Sequence, residues 1–473
     1  KTAPYAYGLD VETTPDAKVL KFKSTADAPE AKIILSPVGG GEAVAQSVGA
    51  VTKGENAVTL ETALLADGVS YNWAVEIAGK PVGTSGLVYS APADLKANSR
   101  GGLAWISDTE SPNFGLLVTS AGYAQGVSVY APDMTKVGTY KPEGNAWVAS
   151  KVNSPYRMGQ LNGNVIITDW SDPGAGYWFF DPSKPETTYD ILGGTRDNTG
   201  AHILDGKSIG GGSTAVAFTG EGENTTMYTF TEDFPVGNGT MTLARSVIGE
   251  TNPWTVEPTA FANLTGSTLM KGTNVELVAL PEGLIVSQAR ANGKNVEGEP
   301  AFVYVDYDGN IKFNSASLED KLASSGSGIA VSADGAVWAI AEATTGIGIW
   351  DATWKDNVPT LTKRYIIPGS EGSSEVNQLA FDNAGNLYAW HRSNFGLRVY
   401  AVKNAAPVAL TAAPKKLVLS SQTGVEDIVS DKADVNAPAE YFNLNGVRVD
   451  GNNLVPGIYV RRQGSVSTKV IVK

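Results

Sequence analysis

The chain has 473 residues, no cysteine, a formal net charge of −13 and a pI of about 4.8. Disulfides, thiol nucleophiles and cysteine-held zinc or iron–sulfur centres are therefore excluded. Nucleic acid and anionic lipid would both be repelled, with no Lys/Arg stripe to offset the charge, and no apolar run is long enough to span a bilayer.

With 42% hydrophobic and 18% charged residues, 53 glycines and 24 prolines, the composition suits many short strands joined by turns. The length suggests about three domains. The chain begins at Lys1 without a charged and apolar leader, which reads as a mature form whose signal peptide is gone. Ser317–Ser324 (SLEDKLAS) is the best helix candidate, two turns at most.

Residues 1–96 read as short alternating strands, Val19–Ser24, Ala31–Pro37, Ala57–Thr62 and Tyr71–Gly79, separated by turn clusters at Gly39–Gly41, Lys53–Asn56 and Asp67–Gly68. Such a domain is most simply an Ig-like β-sandwich, with Trp73 in its core.

Residues 97–410 carry a repeated phrase. Gly328–Asp351 and Asn377–Tyr400 each show an apolar strand, a D-x-G or D-x-x-G turn, a second strand, a polar loop and a third strand opening with Gly. The two glycines are 11 apart in both, at Gly335 and Gly346 and at Gly385 and Gly396; Gly115 and Gly126 repeat the spacing, and Gly163 and Gly176 lie two further apart. Weaker copies lie near Gly212 and Gly283, with an insertion expected around Gly249–Thr273. A period near 50 with four short strands per unit predicts an all-β fold, a propeller of about six blades. A single four-stranded sheet cannot bury both faces, so neighbouring blades stack around an axis. Trp105, Trp338, Trp350 and Trp390 fall on repeat strands and read as packing between blades.

The D-x-x-G-N-L-Y form at Asp382–Tyr388 resembles the repeat of NHL and gluconolactonase-like propellers. That resemblance bears on fold and says little about activity. After a linker at 411–438, residues 439–473 resemble the C-terminal sorting-type domains of secreted Bacteroidetes proteins, matching at Leu444, Gly446, Val447, Leu454, Gly457 and Tyr459. The resemblance implies export across the outer membrane or display on the cell surface. The whole layout resembles an uncharacterised secreted family of gut Bacteroidetes, a likeness that carries no activity with it.

Catalytic motifs are sparse. His202 and His391 are the only histidines, G-x-G-x-x-G and Walker-type loops are missing, and neither a metal nor a cofactor is expected. Asp306–Asn310 has the oxygen content of a calcium loop but lacks a glutamate at the twelfth position, and reads as a hairpin turn, as does the Asp-box-like Ser332–Trp338.

With strands lettered A to D outward from the axis, the B–C and D–A loops share one face. They hold Tyr156, Arg157, Asp169, Trp170, Arg196, His202, Arg290, His391 and Arg392, together with Tyr123, Asp172, Asp197, Glu342 and Glu371. Aromatic planes, guanidinium forks and carboxylates on one face suit a glycan or protein ligand, with Arg157, Trp170, Arg196 and Arg392 converging on the channel mouth as partly exposed side chains. The expectation is a monomeric, secreted or surface-displayed binding protein. The alternative is a glycan-active hydrolase or lyase using His391 or His202 with Tyr123 or Tyr156, and an arginine to neutralise a uronate or sialate.

Overall fold

The structure is a computed structural model that describes residues 4–14, 17–78, 84–91, 101–121, 126–141, 155–169, 176–191, 195–196, 202–204, 207–210, 215–231, 242–247, 259–263, 275–288, 300–320, 322, 328–342, 345–372, 376–392, 396–403, 415–418, 438–443, 447–451, 453–463 and 466–472. The chain divides into two compact units. The first holds Lys1–Leu35, Ala43–Glu61 and Trp73–Lys415, and the second Ser36–Glu42, Thr62–Asn72 and Lys416–Lys473. Among the described residues there is no α-helix. The segment expected to be helical begins instead with a single 3₁₀ turn, Ser315–Ser317, capped where the Asn314 side chain accepts from the Ala316 N–H at 2.9 Å.

The repeats fold into six four-stranded antiparallel sheets, the first five of them meanders. Sheet one is Leu103–Trp105, Leu117–Ser120, Val127–Tyr130 and Lys136–Tyr140. Sheet two is Arg157–Leu161, Asn164–Asp169, Gly176–Phe180 and Tyr189–Asp190. Sheet three comprises Ala215–Thr219, Thr226–Thr231, Thr242–Val247 and Thr259–Asn263, and sheet four Val275–Leu280, Gly283–Gln288, Phe302–Asp306 and Ile311–Asn314. Ile329–Val331, Val337–Ala341, Ile347–Lys355 and Val358–Ile366 form sheet five. Sheet six joins Val376–Phe381, Leu387–His391 and Gly396–Ala401 to Gly86–Ser90, so its fourth strand comes from far upstream. That strand lies within the segment expected to form the separate N-terminal sandwich.

The first strands of the six sheets neighbour one another in a closed cycle, one-two-three-four-five-six-one. This cyclic arrangement of stacked sheets is a β-propeller. Apolar clusters fill the spaces between successive sheets. Between one and two lie Ile106, Val118 and Val129 with Ile167, Trp178 and Phe180. Between four and five lie Phe302 and Tyr304 with Trp338 and Trp350. Trp73, Trp105, Trp338, Trp350 and Trp390 are all fully buried, as packing residues must be. The seam between sheets six and one is closed by the N-terminal segment, where Tyr5 packs edge-on to Trp105 at 6.0 Å and to Phe114 at 6.2 Å.

Two expectations about the repeat need correcting. Gly212 lies outside the described residues, and the first hairpin of sheet three turns instead around Gly220–Asn224. The extra length also falls earlier than expected. A three-stranded sheet, Thr195–Arg196, His202–Leu204 and Lys207–Gly210, is inserted between sheets two and three, whereas Thr259–Asn263 within 249–273 is the outer strand of sheet three. The Asp-rich turns are hairpins as read. Asp306 accepts from the backbone of Asp308 and Asn310, and Asp334 from Ser332 and Ala336, so these oxygens are spent on the turn itself.

Within the first unit, strands from the N-terminal segment form a sheet ordered Ala6–Thr13, Lys18–Ser24, Gly54–Thr59. Ala28–Pro37 pairs with Val44–Val51. Alternation buries one face, with Leu20 and Phe22 inward between Lys21 and Lys23. In the second unit, Ala439–Asn443, Arg448–Val449, Gly457–Gln463 and Val466–Val472 form one antiparallel sheet in which Tyr459 is buried and donates to the Val455 carbonyl at 2.9 Å.

The glycine before the third strand of sheet one has a physical reason. Gly126 sits at φ +80°, and a Cβ there would lie 2.1 Å from the Tyr140 carbonyl oxygen. Gly126→Ala is expected to cost about 2–4 kcal/mol, from left-handed strain plus the backbone clash, read as a lowered midpoint in denaturant unfolding. An unchanged midpoint would contradict this account of the repeat.

Candidate functional site

Where the six first strands begin, three polar side chains close the axis. Gln378, from sheet six, accepts at Oε1 from the Leu103 N–H (3.0 Å) and the Met158 N–H (3.1 Å), and donates through Nε2 to the Met158 carbonyl at 2.7 Å. It thereby ties sheet six to sheets one and two. Gly102 permits this, since a Cβ there would meet Gln378 Oε1 at 2.4 Å. Arg157, from sheet two, crosses the axis in the other direction. Its Nε donates to the Val275 carbonyl of sheet four at 3.3 Å, and its Nη1 to the Asn377 carbonyl of sheet six. Glu276, from sheet four, accepts from the Ile329 N–H of sheet five at 3.2 Å.

This floor is dry. Arg157 is 1% exposed, Glu276 4% and Gln378 7%. Burial pushes the Glu276 carboxyl from its ordinary 4.5 up to about 8, against the opposing pull of Arg157 and the hydrogen bonds from Ile329 and Gln378. At neutral pH Glu276 therefore holds a proton and can donate it in a hydrogen bond.

Toward the other end of the strands the axis opens. Burial is complete where the first strands start and relaxes toward the first hairpins along sheets three to six, and beside sheets one and two as well: Leu103 is buried and Ser107 exposed, Met158 buried and Gln160 half-buried, Ala330 buried and Ala333 exposed. The space enclosed is a cavity of about 410 Å³ lined by all six first strands, with Glu276 and Gln378 at its base and Ser107, Gln160 and Asn383 toward its mouth. The volume is that of a small-ligand site. It opens on the face carrying the first hairpins, opposite the loop face where the sequence placed the site.

The nominated residues divide accordingly. Arg157, expected as a partly exposed side chain at the channel mouth, is instead buried in the floor. Its guanidinium is spent on backbone carbonyls and stacked 5.1 Å over the Tyr156 ring. Tyr156 is itself fully buried. His391 ends the second strand of sheet six, is 0% exposed, and its Nε2 bonds the Tyr400 hydroxyl at 2.8 Å. Burial, with Arg398 nearby, pulls its pKa down to about 3, so it stays neutral. Arg196 and His202 are brought together as register partners in the inserted sheet. Asp169 pairs with Gly176 where sheet two meets its second loop. Arg392 is half-buried in a turn. Trp170 and Arg290 lie outside the described residues.

Sequence reasoning missed Glu276 and Gln378. The signal was there in V-E-L-V-A-L and V-N-Q-L-A-F, an acid and an amide inside otherwise apolar strands. No group of His, Cys, Asp and Glu among the described residues could hold a metal ion. Asp382, at the cavity rim, is raised to about 6 by burial. Its oxygens accept from Ala384 N, Asn386 N, the Asn386 amide and the Tyr388 hydroxyl.

No protein family matches the chain, and no curated protein does. Among solved structures, a Bacteroides thetaiotaomicron protein of unknown function is similar at 14% identity and TM-score 0.43, over 84% of this chain and 98% of its own. A gluconolactonase from Xanthomonas campestris is similar at 14% and 0.42, over 68% and 98%. The WD40 propeller domain of Doa1 is similar at 13% and 0.38, over 72% and 91%. Likenesses this distant carry no argument about what the chain does.

The Glu276 shift has a consequence for stability. Between its unfolded value near 4.5 and its folded value near 8, the native state holds one more proton than the unfolded chain, so stability falls as pH rises through this window. His391, folded near 3 against 6.5, and Asp382, near 6 against 3.8, act mainly at lower pH, and above pH 6.5 they contribute with opposite signs and only a few tenths of a kcal/mol each. From pH 6.5 to above 8, stability should therefore drop by about 2 kcal/mol in wild type and stay nearly flat in Glu276→Gln. Melting curves at several pH values decide it; equal slopes in the two proteins would refute the assignment.

Proposed function

We propose that this chain is an extracytoplasmic, non-catalytic binding protein, whose six-bladed propeller takes a glycan or protein ligand at the axial cavity on its hairpin face. The observation that carries the reading is that cavity, closed by a polar floor at one end and open at the other. The blade count rests on the cyclic contact of the six first strands, with the three-stranded sheet at 195–210 as an insertion. The address rests on the resemblance of residues 439–473 to sorting-type tails. The described residues include no helix long and apolar enough to cross a membrane. The N-terminal strands are read as an Ig-like module.

No observation favours the hydrolase or lyase alternative. It needs an accessible acid–base histidine and an arginine free to meet a carboxylate. Of its candidates, His391 is buried and neutral and Arg157 is committed to backbone carbonyls, which leaves it His202.

A glycan array and a panel of extracellular proteins, probed with the full chain, test the function. A ligand found there is expected to be lost in Ala380→Trp, which fills the cavity wall, and in Ala333→Trp at its exposed rim, and to survive Arg392→Ala on the loop face. The reverse pattern would move the site to the loop face. For the address, the native protein is expected outside the cytoplasm on cell fractionation; full-length protein in the cytosol would contradict it.

A further inference from the structure

We propose that the axial cavity admits the uncharged end of a saccharide, which enters from the hairpin face and meets the Glu276 carboxyl at the floor. This rests on the reading of the cavity as the ligand site. The first argument is charge. Among the described lining residues the ionisable side chains are Glu276 and Asp382, with no Lys, Arg or His. Asp382 is spent on its own turn, and the cation beneath, Arg157, is turned to carbonyls. A uronate or sialate driven into this space would lose its water beside a carboxyl and gain no cation.

The second argument is the strand edges. Each first strand pairs with its own sheet on one side only, and its other edge faces the axis. At the floor those edge groups are taken by side chains: Met158 N and O, Val275 O and Ile329 N. The two-residue period of a strand turns the same groups of Gln160, Leu277, Val331 and Leu379 toward the axis one step higher. A ring of alternating N–H and C=O groups around a narrow space, with Leu277, Val331 and Leu379 side chains between them, suits a molecule rich in hydroxyls with apolar ring faces. The protonated Glu276 adds a donor at the base. The groups facing Glu276 are the Arg157 guanidinium of sheet two, the Gln378 amide of sheet six and the Ile329 N–H of sheet five.

Carbodiimide labelling of the full chain tests the entry and charge preference without knowing the saccharide. The carboxyl O–H adds across one C=N bond of the reagent, its proton passing to nitrogen, and the O-acylisourea rearranges to an N-acylurea with no leaving group. The labelled peptide then carries the whole reagent mass. Uncharged dicyclohexylcarbodiimide is expected to label Glu276, with labelling lost above a midpoint near pH 8, absent in Glu276→Gln and suppressed in Ala380→Trp. A cationic water-soluble carbodiimide should label surface carboxylates and spare Glu276. Folded protein left unlabelled at Glu276, or labelled equally by both reagents, overturns the proposal, as does an array ligand that binds only through a uronate or sialate end. An array with no ligand at all, beside clean Glu276 labelling, defeats the glycan reading while leaving the cavity's entry and charge preference standing.

Discussion

Three side chains at the axis, Arg157, Glu276 and Gln378, bind the first strands of five of the six sheets to one another. A propeller packs its neighbouring sheets through apolar surface, which is forgiving of small rotations. Hydrogen bonds across the axis are directional, and so set the angle at which each sheet meets the channel. A buried guanidinium is costly to desolvate, and leaving a buried polar group without its partner typically costs ~1–3 kcal/mol, more for a charged one. The network therefore contributes specificity of arrangement more than net stability.

The same floor gives the channel its polarity. Because the polar side chains cluster where the first strands begin, that end is dry and closed, and the end near the hairpins remains open. Ring closure adds a second constraint at the seam of sheets six and one. There Gly86–Ser90 supplies the fourth strand of sheet six, Tyr5 packs on Trp105 and Phe114, and Gln378 reaches Leu103. Residues hundreds of positions apart are joined at one place, and an opening of the seam would undo the floor.

The spacing that made the fold legible is local. Gly115, Gly163, Gly335 and Gly385 all take positive φ in first hairpins, and Gly126, Gly346 and Gly396 do so at the start of third strands. A turn conformation requires its glycine within a few residues, so the repeat survives as text. Where the turn used Gly220 and Gly222 with a 3₁₀ step between strands, the phrase blurred, and the expected copy fell eight residues early at Gly212. The buried tryptophans were legible for a related reason, since an aromatic in the middle of an apolar strand has little else to do than pack.

The site was not legible in that way. Sequence alone determined an all-β chain without thiols, its repeat, its turn residues and its packing aromatics, because each depends on neighbours along the chain. Only the tertiary structure decided that Arg157 points across the axis instead of outward, that His391 is sealed beside Tyr400, and that Glu276 and Gln378 meet it from other sheets. Val275, Ile329 and Asn377 lie 118, 172 and 220 residues beyond Arg157 in the sequence, yet their backbones converge on one point. Whether a polar residue in a strand is a ligand group or a structural one depends on where the ring closes, and ring closure is a property of the whole cycle of sheets.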